Sequence, residues 1–362
     1  MFSLFGKPAA GSPEELYSSI IHDHPESPLA PLARLKLAMW LLYRQNYPDA
    51  IKQAARFLET YPKSDLAPRA TDVVVTAFEK MAADRLARKD YARLVQSWRD
   101  NPVIAANRDR LSTATKLGMA MAFFRTGANQ DALTAALPFI GPKESPDGNL
   151  ALVMAMRIYD GQKDWHNILD LARKVQQWKF GPTERRDLEF TVAKALENLG
   201  DGDRSTQLWR KLAGDQLLES GKRCFAMYYM AKDAMAKKDL EKAELYAGEA
   251  VVMFQETGKD PDKLKGSLNI LVDSAKGLGQ YPKALQWAND YAKLCKEGDD
   301  DWAANRLRIA SIQRAMGDMD GWRKTLTAMR DAAPNSLYGK MAASDLTTNG
   351  LQNSLNSLTE SQ

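Results

Sequence analysis

Apolar side chains recur along this chain three and four residues apart, in stretches that stop at a short polar turn and then resume. Leu32, Leu35, Ala38 and Leu42 precede one such turn, and Ile51, Ala54, Ala55 and Leu58 follow it. Leu188, Val192, Ala195 and Leu199 repeat the pattern in mid-chain. Further on, Leu264, Leu268, Leu271, Val272 and Ala275 lead into a turn, with Ala284, Leu285, Ala288 and Tyr291 after it. Residues so spaced share one face of an α-helix, so the pattern predicts amphipathic helices joined in pairs. Val73, Val74 and Val75 favour a strand by residue type, but they lie inside a longer helical pattern flanked by charges, and a helix is expected there.

The turns resemble one another. Gln45-Asn-Tyr-Pro-Asp-Ala50, Lys89-Asp-Tyr-Ala-Arg-Leu94, Lys163-Asp-Trp-His-Asn-Ile168, Lys238-Asp-Leu-Glu-Lys-Ala243 and Gln280-Tyr-Pro-Lys-Ala284 are the clearest copies, with weaker ones at Ala128-Asn129, Asp203-Arg204 and Asp318-Met319. With Tyr47, Tyr91, Asn129, Trp165, Arg204, Leu240, Tyr281 and Met319 as equivalent anchors, the spacings are 44, 38, 36, 39, 36, 41 and 38 residues. Each interval holds one helical hairpin. Nine residues before the anchors stand Ala38, Ala82, Ala120, Met156, Ala195, Ala231, Val272 and Ala310. A small side chain is needed wherever a neighbouring helix comes close to the backbone, so recurrent alanine at one register predicts packed crossings.

These residues resemble the tetratricopeptide repeat family. Ala38 matches the small position of the first helix, Tyr47 the aromatic turn position, Ala50 the small position of the second helix and Pro62 the terminating proline. Ala82, Tyr91, Ala120, Trp165, Ala195, Ala231, Ala243, Val272, Tyr281, Ala284 and Ala310 extend the match in diminished form over roughly residues 29 to 345, with units longer than the family's usual 34 residues. Leu94, Ile168, Gln207 and Trp322 stand where the second small residue is expected. Two phrases, Phe57-Leu-Glu-Thr-Tyr-Pro-Lys-Ser-Asp-Leu-Ala-Pro-Arg-Ala70 and Met329-Arg-Asp-Ala-Ala-Pro-Asn-Ser-Leu-Tyr-Gly-Lys-Met-Ala342, are similar to repeat modules of bacterial outer-membrane assembly lipoproteins and cell-division coordinators. The resemblance implies an all-α, right-handed superhelical solenoid of about eight antiparallel helix pairs. Binding of a protein or peptide is then expected on its concave surface.

Proline-rich breaks at Pro25-Glu-Ser-Pro28, Asn101-Pro102, Gly141-Pro142, Ser145-Pro146 and Gly181-Pro182 read as helix ends, because proline restricts both its own backbone and its predecessor's. The expected organisation is an N-terminal extension with a candidate capping helix (1–28), a solenoid (29–346), and a flexible polar tail or short terminal helix (347–362) on which Leu351, Leu355 and Leu358 share a face.

Composition narrows the function classes only a little. With 44% hydrophobic residues in 362, the chain has material for a substantial core. Fifty Lys plus Arg against 46 Asp plus Glu leave a formal charge of +4, too small a surplus to predict general nucleic-acid binding. No apolar run approaches the roughly 20 residues of a membrane span. Met1-Phe-Ser-Leu-Phe-Gly-Lys-Pro8 is too short and lacks the leading basic residues of a secretion signal. A cytoplasmic location is expected if the chain is complete, and a periplasmic or envelope-associated one if it is a fragment of a secreted parent.

Candidate chemistry is sparse. His22 and His24 flank Asp23 but lack further ligands to close a metal site, and His166 sits in a repeat turn. Cys224 and Cys295 lie among apolar neighbours, as small buried hydrophobes do. Gly200-Asp-Gly-Asp203 reads as a turn, since it lacks the spacing of a calcium loop, and Glu297-Gly-Asp-Asp-Asp-Trp302 reads as a helix cap. The tryptophans are expected to seal gaps between hairpins. Arg85, Arg88, Lys89, Arg93 and Arg99 form the densest basic interval, a candidate partner-binding patch that Arg108 and Arg110 extend.

No catalytic, cofactor or metal constellation emerges, and the expectation is a noncatalytic interaction scaffold or adaptor in a bacterium with an unidentified protein partner. An accessory domain of a larger cell-wall or polysaccharide enzyme, or a self-assembling structural protein, stays open as an alternative. Self-association would use the end faces of the stack.

Overall fold

A computed structural model describes residues 11–360, with side chains to residue 351. Met1–Pro8, read above for a leader, and the side chains of Leu355 and Leu358 lie outside the described residues. The described residues form helices and no strand. Two compact units divide the chain, Met1–Lys179 and Phe180–Gln362.

Unit 1 holds α1 (Pro13–Asp23), α2 (Ala30–Tyr43), α3 (Tyr47–Thr60), α4 (Ala67–Ala87), α5 (Tyr91–Asp100), the short α6 (Pro102–Ala106), α7 (Thr113–Arg125), α8 (Asn129–Ala136), α9 (Pro146–Gln162) and α10 (Trp165–Lys174), with 3₁₀ turns at Arg108–Arg110 and Leu137–Phe139. Unit 2 holds α11 (Pro182–Asn198), α12 (Gly202–Gly214), α13 (Ser220–Ala236), α14 (Leu240–Thr257), α15 (Pro261–Gly277), α16 (Tyr281–Ala292), α17 (Asp300–Ala315), α18 (Met319–Ala332) and α19 (Leu337–Glu360). The valines at 73–75 lie within α4. Pro102, Pro146 and Pro182 each begin a helix, where the missing amide would have had no intrahelical partner.

One turn closes every hairpin. Gln45, Lys89, Gly127 and Lys163 in unit 1, and Gly200, Lys238, Gly279 and Gly317 in unit 2, all have φ between 57° and 78° and all stand two residues before the second helix. In each case the following amide donates to the carbonyl five residues back, at 2.8–2.9 Å: Asn46 to Leu41, Asp90 to Arg85, Ala128 to Phe123, Asp164 to Tyr159, Asp201 to Leu196, Asp239 to Ala234, Gln280 to Ala275 and Asp318 to Gln313. The left-handed residue itself donates three back, as Gln45 does to Leu42 and Lys163 to Asp160. This pair of bonds is a Schellman closure, which satisfies the terminal carbonyls of the first helix. Asp164, Asp201, Asp239 and Asp318 then cap the second helix by accepting an amide three residues on. The Lys-Asp-aromatic phrase of the sequence is thus a turn recipe: left-handed residue, N-cap, first helical residue.

Register follows from the turn. Ala38, Ala82, Ala120, Ala195, Ala231, Val272 and Ala310 are fully or almost fully buried, and Met156 is buried. Seven of the eight anchors are the first residue of a second helix, but α12 begins at Gly202, two residues before Arg204. Equivalence by position therefore replaces Arg204 with Gly202, exposed Gln207 with buried Ser205, and pairs Ala193 with the close crossing. With that shift, Ala50, Leu94, Ala132, Ile168, Ser205, Ala243, Ala284 and Trp322 are all buried three residues into the second helix.

Phe57, Phe78, Leu94, Ile104, Ile140, Met154 and Ile168 carry the core of unit 1. In unit 2, Trp209, Cys224, Met227, Phe254, Leu268 and Leu271 form one cluster. At the far end, α19 packs against α18 through a cluster of Trp302, Trp322, Met329 and Ala342, joined by Tyr338 and Leu346. α19 continues without a break from residue 346 through Glu360.

Candidate functional site

The first helix of each hairpin turns one side to its partner and leaves another outward. On α2 that outward side is apolar. Leu29, Leu32, Met39 and Tyr43 are 57%, 42%, 44% and 76% exposed, and the half-buried Trp40 ring tilts against Tyr43 at 5.7 Å. With exposed Lys36 they recur at intervals of three and four, the spacing by which one helix receives another. The corresponding turns of α4 carry Thr76, Lys80, Ala83 and Ala87. On α9 the apolar character returns with exposed Leu150 and Val153.

In unit 2 the outward residues of successive first helices bind to each other. Lys232 on α13 pairs with Glu197 on α11 at 3.1 Å, and its Nζ lies over the Tyr228 and Tyr229 rings. Tyr229 stacks on Trp209 at 4.6 Å. Burial, and secondarily the Glu197 carboxylate, pushes the Tyr229 phenol above its ordinary pKa. Lys222 pairs with Asp187 between the same two helices, while Lys265 meets Asp301 at 2.7 Å and Arg308 bonds Asn269 between α15 and α17. These are braces between neighbouring hairpins, each partly exposed and therefore weak individually.

The five basic residues singled out in the sequence are distributed differently. Arg85 is half-buried, donating to the Arg93 carbonyl and to Ser97 Oγ, so it ties α4 to α5; burial pulls its pKa below the usual guanidinium value. Arg88 returns to Asp84 on its own helix at 2.8 Å, and Arg93 to Asp90 at 3.6 Å. Arg99 reaches Asp131 on α8 at 3.6 Å, and Arg110 reaches Asp72. Lys89 is the left-handed residue of its turn. Most of this charge is spent on intramolecular pairs.

His22 and His166 are exposed, at the end of α1 and the start of α10. Among the described residues no group of three or more His, Cys, Asp or Glu could hold a metal ion. Both cysteines are unpaired. The acidic run places Asp299 at the N-cap of α17 without a side-chain bond, leaving Asp300 and Asp301 in the first turn and Asp301 paired to Lys265. Trp178, Trp209, Trp302 and Trp322 are buried in the packing.

A cleft of about 580 Å³ opens in unit 1 between α5, α6, α7 and α8. Its floor includes Trp98, Met119, Phe123 and Phe139, and its rim Arg108 and Lys116. Neither it nor the α2 stripe was singled out from the sequence. The stripe has a signal, apolar residues at helical spacing beside the buried set, although Leu32, grouped by spacing with Leu35 and Ala38, is exposed and belongs to the stripe; the cleft depends on α6 and the 3₁₀ turn after it, where Asn101-Pro102 marks a helix end and nothing marks the cleft.

No family model and no curated protein matches the chain. Similar folds occur among solved structures. The C-terminal part of a TPR repeat-containing protein from Cytophaga hutchinsonii is 12% identical, over 73% of this chain and 98% of that one, with a TM-score of 0.49. The apo form of RapI is 11% identical over 83% and 86%, TM-score 0.45, and the P58(IPK) TPR domain 13% identical over 84% and 83%, TM-score 0.37. Among the described residues no helix is long and apolar enough to cross a membrane. By the geometry of their own hairpins, with a common turn and a common buried register, the described residues form an all-α helical-hairpin repeat, a fold similar to that of the TPR structures.

Proposed function

We propose that the chain is a noncatalytic protein-interaction scaffold that receives a helix or peptide on the first-helix face of unit 1. The observation that carries this reading is the α2 stripe, in which Leu29, Leu32, Met39 and Tyr43 stay exposed in a single seam. Contiguous exposed apolar surface with an aromatic anchor is a feature of interaction sites. Lys36 within the seam favours a partner carrying a carboxylate at the facing position. The stripe replaces the basic interval around Arg85 as the leading contact surface. A bacterial adaptor role is consistent with the two sequence phrases at residues 57–70 and 329–342.

A photocrosslinking residue placed at Tyr43, with a control at exposed Lys174 on α10, tests it in the native host. Partners captured at Tyr43 and lost in a Leu32→Glu, Met39→Glu variant support the reading. Crosslinks obtained at Lys174 alone overturn it.

A second reading, self-association, draws on α19, where Leu337 and Leu351 are 71% and 63% exposed and Met341 is exposed as well. A solution mass that rises with concentration, and falls back in a Leu337→Lys, Leu351→Lys variant, would establish it.

A further inference from the structure

We propose that the unit 1 cleft between α5, α6, α7 and α8 is a second docking site, one that takes a large apolar side chain flanked by a carboxylate on a partner polypeptide. It is independent of the α2 face. Its volume, about 580 Å³, falls in the range of preformed pockets and well exceeds one side chain.

The floor is rigid and apolar. Trp98 packs edge-on against Phe123 at 6.3 Å and is tilted against Phe78 at 5.8 Å, while Met119 and Phe123 are buried. A ring or branched chain entering the cleft meets a surface that is already held in place, so little side-chain entropy is lost on binding. Phe139, partly buried in the 3₁₀ turn after α8, forms another wall.

The rim carries two cations and two carboxylates, and one of the cations, Lys116, is left over for a ligand. Asp131 is engaged by Arg99, and Asp109 lies 3.8 Å from Arg108. Lys116 donates to the Asp109 carbonyl at 3.0 Å and has no ion pair among the described residues. Arg108 is largely exposed, with nothing but the adjacent, almost fully exposed Asp109 to pair with. A carboxylate arriving beside the apolar group would therefore meet Lys116 without an ion-pair partner, and Arg108 shared with Asp109, over an apolar floor where charge-assisted hydrogen bonds are strongest.

The test uses the full chain and 1-anilinonaphthalene-8-sulfonate, an aromatic group bearing an anion, as the direct probe. Displacement by N-acetylated, C-amidated tripeptides then reports the preferred side chains. Thr134→Trp fills the mouth of the cleft, and Arg108→Glu reverses a rim charge at a largely exposed site. Expected is one site per chain whose affinity falls at least tenfold in each variant, with displacement by Glu-Phe-Glu and not by Lys-Phe-Lys or Glu-Ala-Glu. Unchanged affinity in Thr134→Trp with an unchanged melting profile overturns the site. Equal displacement by Lys-Phe-Lys overturns the carboxylate requirement, and a doubled mass abolished by Arg108→Glu would replace the foreign partner with a second copy of the chain. None of these outcomes depends on Leu32, Met39 or Tyr43, so failure here leaves the α2 reading intact.

Discussion

The Asn305 side chain, 3% exposed on α17, donates from Nδ2 to the Ala288 carbonyl on α16 at 2.8 Å. It joins two consecutive hairpins of unit 2 through a buried hydrogen bond. Asn305→Ala removes the donor and leaves a void, and is expected to cost about 1–3 kcal/mol in urea unfolding. Asn305→Asp sets a carboxylate against a carbonyl oxygen and is expected to cost more at pH 7. Its folded-state pKa would be raised, so the added deficit should fade as pH drops toward the unfolded carboxylate value of about 3.9. A deficit that grows in acid would contradict this arrangement.

Lysine in a left-handed conformation carries a steric cost that glycine avoids. Lys163 and Lys238 have φ of 57° and 60°, in the same turn that Gly200 and Gly279 make elsewhere. Lys163→Gly and Lys238→Gly are each expected to stabilise by about 1 kcal/mol, and Gly200→Ala to destabilise by a similar amount. Denaturant midpoints of the three variants give the signs directly.

Ala231 is fully buried at the close crossing of α13. Ala231→Phe overpacks that crossing and is expected to destabilise by about 1–3 kcal/mol. An unchanged unfolding midpoint would remove Ala231 from the packed register.

Burial pushes the Cys224 thiol up to about 11 and raises Cys295 as well. Cys224 is fully buried, whereas Cys295 is only partly so and its Sγ faces the Tyr291 carbonyl. Timed alkylation at pH 8 read by mass spectrometry should modify Cys295 first, with Cys224 reacting only as unit 2 opens. Equal rates would mean that Cys224 is accessible in the native fold.

Carboxylates in unit 2, among them Asp215 and Asp239, are held below their ordinary pKa by hydrogen bonds to the charged form. Arg186 and the Leu217 amide do this for Asp215, and Lys242 does it for Asp239. Depressed carboxylates contribute stability above the unfolded value of about 3.9, and that contribution is lost as pH falls through the lower folded values. Stability followed from pH 7 to pH 2.5 should drop in acid, with a shallower drop in Asp215→Asn.

Helices and their pairing were legible because two local rules recur: a small residue at most crossings, and a short turn phrase whose Lys-Asp-aromatic form appears at Lys89 and Lys163. Both act within a few residues, so sequence spacing preserves them. The misplacement at Arg204 shows the limit. There the first helical residue is Gly202, with no aromatic to mark it, and only the backbone of the turn fixes the register. The basic interval shows another limit. Arg85, Arg88, Arg93 and Arg99 are close in sequence, but helical geometry and nearby aspartates send each to a separate partner. The cleft was invisible because it joins residues from four helices, and no periodicity encodes what a short inserted helix uncovers.

The common turn also sets how the chain acquires its fold. Its closing hydrogen bonds link residues three and five positions apart, and the side-chain bridges between successive hairpins, such as Lys259 with Glu219, span no more than about one repeat. Contacts this local cost little loop-closure entropy before they are rewarded. Refolding can therefore begin at several hairpins at once and advance by addition of neighbours, so its rate should depend far more on the stability of single hairpins than on the length of the array.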